Sequence, residues 1–275
     1  MANDMQLREA YALLMSDCSD EIIEHTTGLS LVDILALRAG RASAPNRPVH
    51  KASNLDQVFL ADEALGLTGS ALPVACFTPM TTPDAIIVIA ASLGGLDAVC
   101  ELLQPLPSDL QASIVVVLHT HASSPRFLAH IIGQNAALRT SYAEEGGKLK
   151  AGRAYIAPPD FHLMVTPQKG LHLNHGPKVG FHRPSADVLF KSAAHAFGER
   201  VIGVVLTGGD SDGTQGLKEI HAAGGLSVIQ DPSEAVAPSM PQSAIAGDHP
   251  DFVVKLADMP ALLCRLVEGG PMSNA

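Results

Sequence analysis

Three short runs constrain this chain more than anything else in it. AIIVIAA at 85–91, SIVVVLH at 113–119 and VIGVVLT at 201–207 are apolar and rich in β-branched residues. A strand with one wet face alternates apolar and polar positions. A strand without a polar face is buried on both sides, as in a parallel sheet covered by helices. Loops rich in small residues follow the first and third runs, and a helical segment follows each, at about 95–104 (ended by Pro105), 123–134 and 213–223. LSVIQ at 226–230 is a fourth strand, and residues 185–197 form a helix with Ser185 as its N-cap after Pro184. Two further helical segments close the chain. The repeated order predicts an α/β domain, a doubly wound and mostly parallel sheet between two helical layers.

The period changes at 140–175. Residues 153–157, 162–166 and 171–175 are short, alternating and separated by Pro-Pro-Asp and Gln-Lys-Gly turns, which predicts inserted antiparallel hairpins. The boundaries expected are a helical N-terminal extension and linker at 1–50, a connecting segment at 51–83, the main domain at 84–268 and a tail at 269–275.

In open parallel sheets, chemistry sits where loops leave the carboxyl ends of strands. Ser92 follows the first run, His119 ends the second, and Asp212 lies in the loop after the third. A serine hydroxyl is a poor nucleophile at neutral pH without an adjacent base. Imidazole serves as that base, and a carboxylate fixes its tautomer. Each residue alone has a plainer role, Ser92 and Asp212 as helix caps and His119 as a hydrogen-bonded structural histidine. Their shared placement favours a triad.

Rival motifs fit less well. AASLG at 90–94 resembles a nucleophile elbow, but those hydrolases run Ser, acid, His, whereas His119 precedes Asp212. The loop lacks a dinucleotide G-x-G-x-x-G. Residues 208–219 imitate a calcium loop with glycine at its first ligand position. His119-x-His121 lacks the partners of a zinc site. No metal or cofactor is expected, and the histidines of residues 162–195 are expected to be surface or structural.

Composition narrows the partners. A formal net charge of −10 with only 17% charged residues argues against nucleic acid and anionic membranes. No apolar run is long enough to span a bilayer, and the start MANDMQ has no basic n-region, so a soluble cytoplasmic protein is expected. The four cysteines form no CxxC pair and read as reduced thiols.

From 84 onward the chain resembles the catalytic domain of the chemotaxis protein-glutamate methylesterases (CheB). The resemblance rests on IIVIAASLGG (86–95), VVVLHTHASSPRFLAHI (115–131), GGKLKAGRAYIAPPDFHLMV (146–165), HRPSADVLFKSAA (182–194), GVVLTGGDSDGTQGLKEIHAAGG (203–225) and PSMPQSAIAG (238–247). It implies hydrolysis of γ-glutamyl methyl esters on a chemoreceptor or receptor-like protein, with glutamine deamidation in many members. It makes Ser92 the nucleophile, His119 the base and Asp212 the orienting acid.

This chain departs from the family pattern around those residues. Leu93 stands where the family has threonine, Gly209 and Asp210 replace Met and Gly, and Thr120-His121 replaces Met-Pro. The Met position supplies an oxyanion-hole N–H in the family, which Gly209 still offers. A carboxylate at Asp210 is expected to oppose charge on the oxyanion, with solvent exposure or helix capping as its plainer role. The family's receiver domain is not legible in residues 1–80, which leaves three expectations open: a separate regulator in trans, docking of the N-terminal helices on this domain or on a partner, or no inhibition. The rivals are a catalytically weak signalling module keeping the fold, and an esterase for another substrate.

Overall fold

The computed structural model describes residues 83–269 other than 125 and 135, together with the isolated Ala10. The expected N-terminal extension except Ala10, the connecting segment except Pro83, and the tail beyond Gly269 lie outside the described residues.

The main sheet has seven strands: β1 (Ala85–Ala91), β2 (Ala112–Leu118), β3 (Arg139–Tyr142), β4 (Arg153–Ile156), β7 (Val201–Val205), β8 (Leu226–Gln230) and β9 (Phe252–Val254). Their spatial order is β3-β4-β2-β1-β7-β8-β9, and every neighbouring pair is parallel. β5 (His162–Val165) and β6 (Leu171–Asn174) form a separate antiparallel pair. The helices are α1 (Gly95–Leu103), α2 (Leu128–Gly133), α3 (Ala186–Phe197), α4 (Thr214–Ala222), α5 (Ser239–Asp248) and α6 (Met259–Glu268).

The continuous apolar runs have the cause inferred from them. Along β1, Ile87, Ile89 and Ala91 belong to one core cluster while Ile86, Val88 and Ala90 belong to the other. Successive side chains of a strand point to opposite faces, so a strand covered on both faces shows no polar alternation, and the few polar side chains it holds, such as Ser113 and Ser227, are hydrogen-bonded. Each fully buried isoleucine or valine contributes about 1.5–3 kcal/mol relative to exposure.

Two local expectations change. Residues 153–157 are not part of a hairpin: β4 lies in the parallel sheet between β2 and β3. Ala154, Tyr155 and Ile156 are all buried, so what read as alternation is a two-sided strand containing one tyrosine. The helix expected over 123–134 is confined to α2, with turns before it. Both edge strands are weakly marked: β3 (RTSY) carries no apolar run, and β9 (FVV) is apolar but only three residues long and incompletely buried.

The topology sets up the site. After β1 the chain builds outward through β2 to one edge, then returns at β7 on the other side of β1. The carboxyl ends of β2, β1 and β7 therefore meet at a switch point.

Candidate active site

Ser92, His119 and the 206–213 loop leave three adjacent strands. Ala91 pairs in register with Leu118, and Ala90 with Val205. Past those positions the Ser92 N–H donates to the Thr207 carbonyl at 3.0 Å, and the His119 N–H donates to the Ala91 carbonyl at 3.0 Å. Gly94 takes φ 74° to turn the chain from strand into α1, and a Cβ there would stand 2.7 Å from Val236 Cβ. A Cβ on Gly208 would collide with Met240 Sδ and lie 2.9 Å from Ser92 Cβ. Bulk is excluded where the loop passes the serine.

Ser92, His119, Lys178, His182 and Arg183 line one cleft of about 300 Å³. On one side of the imidazole, His119 Nε2 lies 2.8 Å from Asp212 Oδ2. Asp212 is an acceptor surrounded by donors. Its Oδ1 receives Ser185 Oγ at 2.9 Å, Asp187 N at 3.1 Å and Gly213 N at 3.1 Å, and its Oδ2 also receives Ala186 N at 2.6 Å. Burial alone would raise its pKa, but these donors and the histidine bring it below the usual carboxylate range. Ser185 stands at the N-cap of α3 as expected, yet its hydroxyl serves Asp212 and not the helix. Asp187 in turn caps α4 across the gap, its Oδ1 accepting from Gly213 N at 3.0 Å and Gly216 N at 2.7 Å.

On the other side, His119 Nδ1 lies 3.2 Å from Asp210 Oδ2. The same oxygen is 3.3 Å from His182 Nε2, and the two imidazoles stack 3.8 Å apart at 8°. Asp210 Oδ1 accepts the Asp212 N–H at 2.8 Å, closing a local turn. Burial acts most strongly on His119 and pushes its pKa down, but the two carboxylates together outweigh it and hold the ring up at about 9. Burial and the neighbouring His119 charge push His182 the other way.

The structure thus brings all three expected triad residues to one sheet edge, with an altered pairing around the histidine. Both His119 ring nitrogens are engaged by carboxylates, and no hydrogen bond joins Ser92 Oγ to His119. Asp210 faces the imidazole, where an oxyanion-side or solvent-facing carboxylate was expected. Gly209 leaves open space within 4 Å of where a Cβ would be, and Leu93 is exposed beside the serine.

His182 and Ser185 were missed from sequence as site residues. His182 reads as one of several scattered histidines, and Ser185 as a cap. Their shared stretch HRPS, at the start of the family-like segment 182–194, was the available signal. Arg183 anchors that stretch, donating to Asp160 Oδ1 from Nε at 3.0 Å and Nη2 at 2.6 Å, and to the Gly176 carbonyl at 2.7 Å.

His119, His182 and Asp210 each offer one ligand-type atom within 4.8 Å of the others. An ion bound by both imidazoles must lie in both ring planes. Planes 8° apart and stacked at 3.8 Å do not meet near the nitrogens. In this arrangement the cluster is a hydrogen-bonded ionic group.

Comparison with known proteins gives a consistent likeness. Residues 87–263 match the family described as CheB methylesterase. A putative protein-glutamate methylesterase/protein-glutamine glutaminase of Leptospira interrogans is 41% identical over 66% of this chain and 93% of its own length. Protein-glutamate methylesterase FrzG of Myxococcus xanthus is 39% identical over 68% of this chain, which spans 56% of that protein. The crystal structure of the Thermotoga maritima CheB methylesterase catalytic domain superposes with TM-score 0.63 at 33% identity, covering 66% of this chain and 98% of that one.

Proposed function

Because this chain belongs to the CheB methylesterase family, we propose that it is a serine hydrolase that removes methyl groups from glutamyl γ-methyl esters of a chemoreceptor-type protein. Ser92 Oγ attacks the ester carbonyl while His119 takes its proton. The tetrahedral intermediate collapses, and the proton passes to the leaving methanol. Water then repeats the sequence on the acyl-enzyme and frees the glutamate. Asp212 holds the imidazole by Nε2 and steadies its charge. The Gly209 N–H, which donates to no acceptor among the described residues, is available to the oxyanion.

The observation that carries this reading is the placement of Ser92 and His119 at register-matched ends of β1 and β2, in one cleft, with Asp212 at 2.8 Å behind the imidazole. Glutamine deamidation uses the same acyl-enzyme with ammonia as leaving group, and the Leptospira relative's name includes that activity. A weak signalling module remains the second reading, favoured by the double engagement of His119. Methanol release from a methylated receptor fragment separates the two. Wild type should release it and Ser92→Ala should lose nearly all of that activity. Unchanged release by Ser92→Ala would reject the triad, and none by either protein from about pH 6 to pH 10 would favour the module.

A further inference from the structure

We propose that Asp210 is a clamp on the general base: it holds the His119 nitrogen left over by Asp212, the one Ser92 needs, so the hydrolase rests switched off until that contact opens. The inference deepens the triad reading and rests on it.

A base in a triad has two nitrogens with two duties. One donates to the orienting acid and the other must carry a free lone pair toward the nucleophile. Here Nε2 is held by Asp212 at 2.8 Å, leaving only Nδ1 for Ser92, and Nδ1 is held by Asp210 at 3.2 Å. A carboxylate at that distance accepts a hydrogen bond, so the favoured partner at Nδ1 is N–H. With protons on both nitrogens the ring is an imidazolium and accepts nothing from a hydroxyl. Proton transfer from Ser92 requires Nδ1 first to lose its proton to water and then to turn its lone pair to Oγ.

The contact is supported from several directions. Asp210 Oδ1 is pinned by the Asp212 N–H at 2.8 Å, which aims Oδ2 at the ring. His182 covers one face of the imidazole and shares Oδ2 at 3.3 Å. His182 is carried on a tight turn in which Val179 and His182 exchange both backbone hydrogen bonds, at 3.1 and 2.9 Å. The charged and titratable groups facing His119 are Asp210, Asp212 and His182, with Asp187 behind Asp212 and with His121, Lys178 and Arg183 on the cleft rim. Burial pulls the ring's pKa down, and the two nearest anions together outweigh it and hold it up at about 9.

The clamp is removable by design of the side chain. Asp210→Asn retains an oxygen for the Asp212 N–H and replaces the charged acceptor facing His119 Nδ1 by a neutral NH2 donor, which no longer favours a proton on that nitrogen. Hydrolysis of a neutral ester by the full chain should rise with pH in wild type, with kcat/KM half-maximal near pH 9. In Asp210→Asn that midpoint should fall by about one unit or more, and the rate near pH 7 should rise about tenfold, since each unit is a tenfold change in neutral imidazole. The His119 ring titration, followed by NMR and assigned with His119→Gln, should move by the same amount. Should Asp210→Asn disturb folding, Asp210→Gly supplies the same comparison. Unmoved profiles and an unmoved His119 titration in a folded Asp210 variant, with Ser92→Ala inactive, would overturn the clamp and leave the triad. Full activity in Ser92→Ala would remove the triad and the clamp together.

Discussion

The two sides of the His119 ring are built to different standards. The Asp212 side is interior: its side chain is 3% exposed and bound by a hydroxyl, three backbone N–H groups and the imidazole. The Asp210 side is a wall of the cleft: its side chain is 28% exposed and held by one backbone N–H and two imidazoles. Both carboxylates touch the same ring, two residues apart in one loop. The buried side sets orientation and resists change, because a buried acceptor with satisfied donors is costly to alter. The open side sets the protonation state and can be changed with little damage.

Asp212→Asn should have the largest effect. It places an amide against donors that need acceptors, and it misassigns the tautomer. A kcat loss of about 10²–10⁴-fold, with a stability loss of about 2–3 kcal/mol, is expected from ester kinetics and denaturant melts. An activity within a factor of about two of wild type would mean that Asp212 is structural only.

Ser185→Ala leaves Asp212 without its hydroxyl donor while the backbone N–H groups remain. It should cost about 1–2 kcal/mol and slow turnover roughly tenfold. If turnover is unchanged, the interior side does not depend on that hydroxyl.

The ring and the two carboxylates that hold it fail at opposite ends of the pH scale. The folded pKa of His119 is raised to about 9, so its contribution to stability is fully present below the unfolded value and is lost as pH rises through about 9. Asp210 and Asp212 are lowered, so theirs is present above the unfolded carboxylate value and is lost as pH falls through the depressed one. Melting temperature should therefore drop on the alkaline side in wild type and drop less in Asp210→Asn. Parallel alkaline curves for the two proteins would contradict a strong ionic contact at Asp210.

The smallest effect concerns the turn that carries His182. Phe181 sits at φ 70° and is 90% exposed, an unfavoured conformation for an aromatic residue with no burial to offset it. Phe181→Asn should raise stability by about 0.5 kcal/mol and keep the stacked pair. A stability loss would show that Phe181 has a packing role that its exposure hides.

Much of this was legible in the chain itself. The two-sided strands β1, β2 and β7 follow from runs dominated by β-branched residues, which no other environment satisfies as well, and β8 follows from a shorter run around Val228 and Ile229. The positions of Ser92, His119 and Asp212 follow from the rule that parallel sheets expose their chemistry at carboxyl ends. β4 was misread because one tyrosine among buried residues imitates alternation, β3 was missed because an edge strand needs no apolar pattern, and β9 because three apolar residues are too few to show a period. What only the tertiary structure decided is which atoms meet. Asp210 and Asp212 are equally acidic on the page, and His182 is one of 12 histidines. Side-chain direction in a loop depends on which donors the distant helix α3 and the 179–182 turn bring to it. Those contacts span 25 to 93 positions of sequence, beyond the reach of any local pattern.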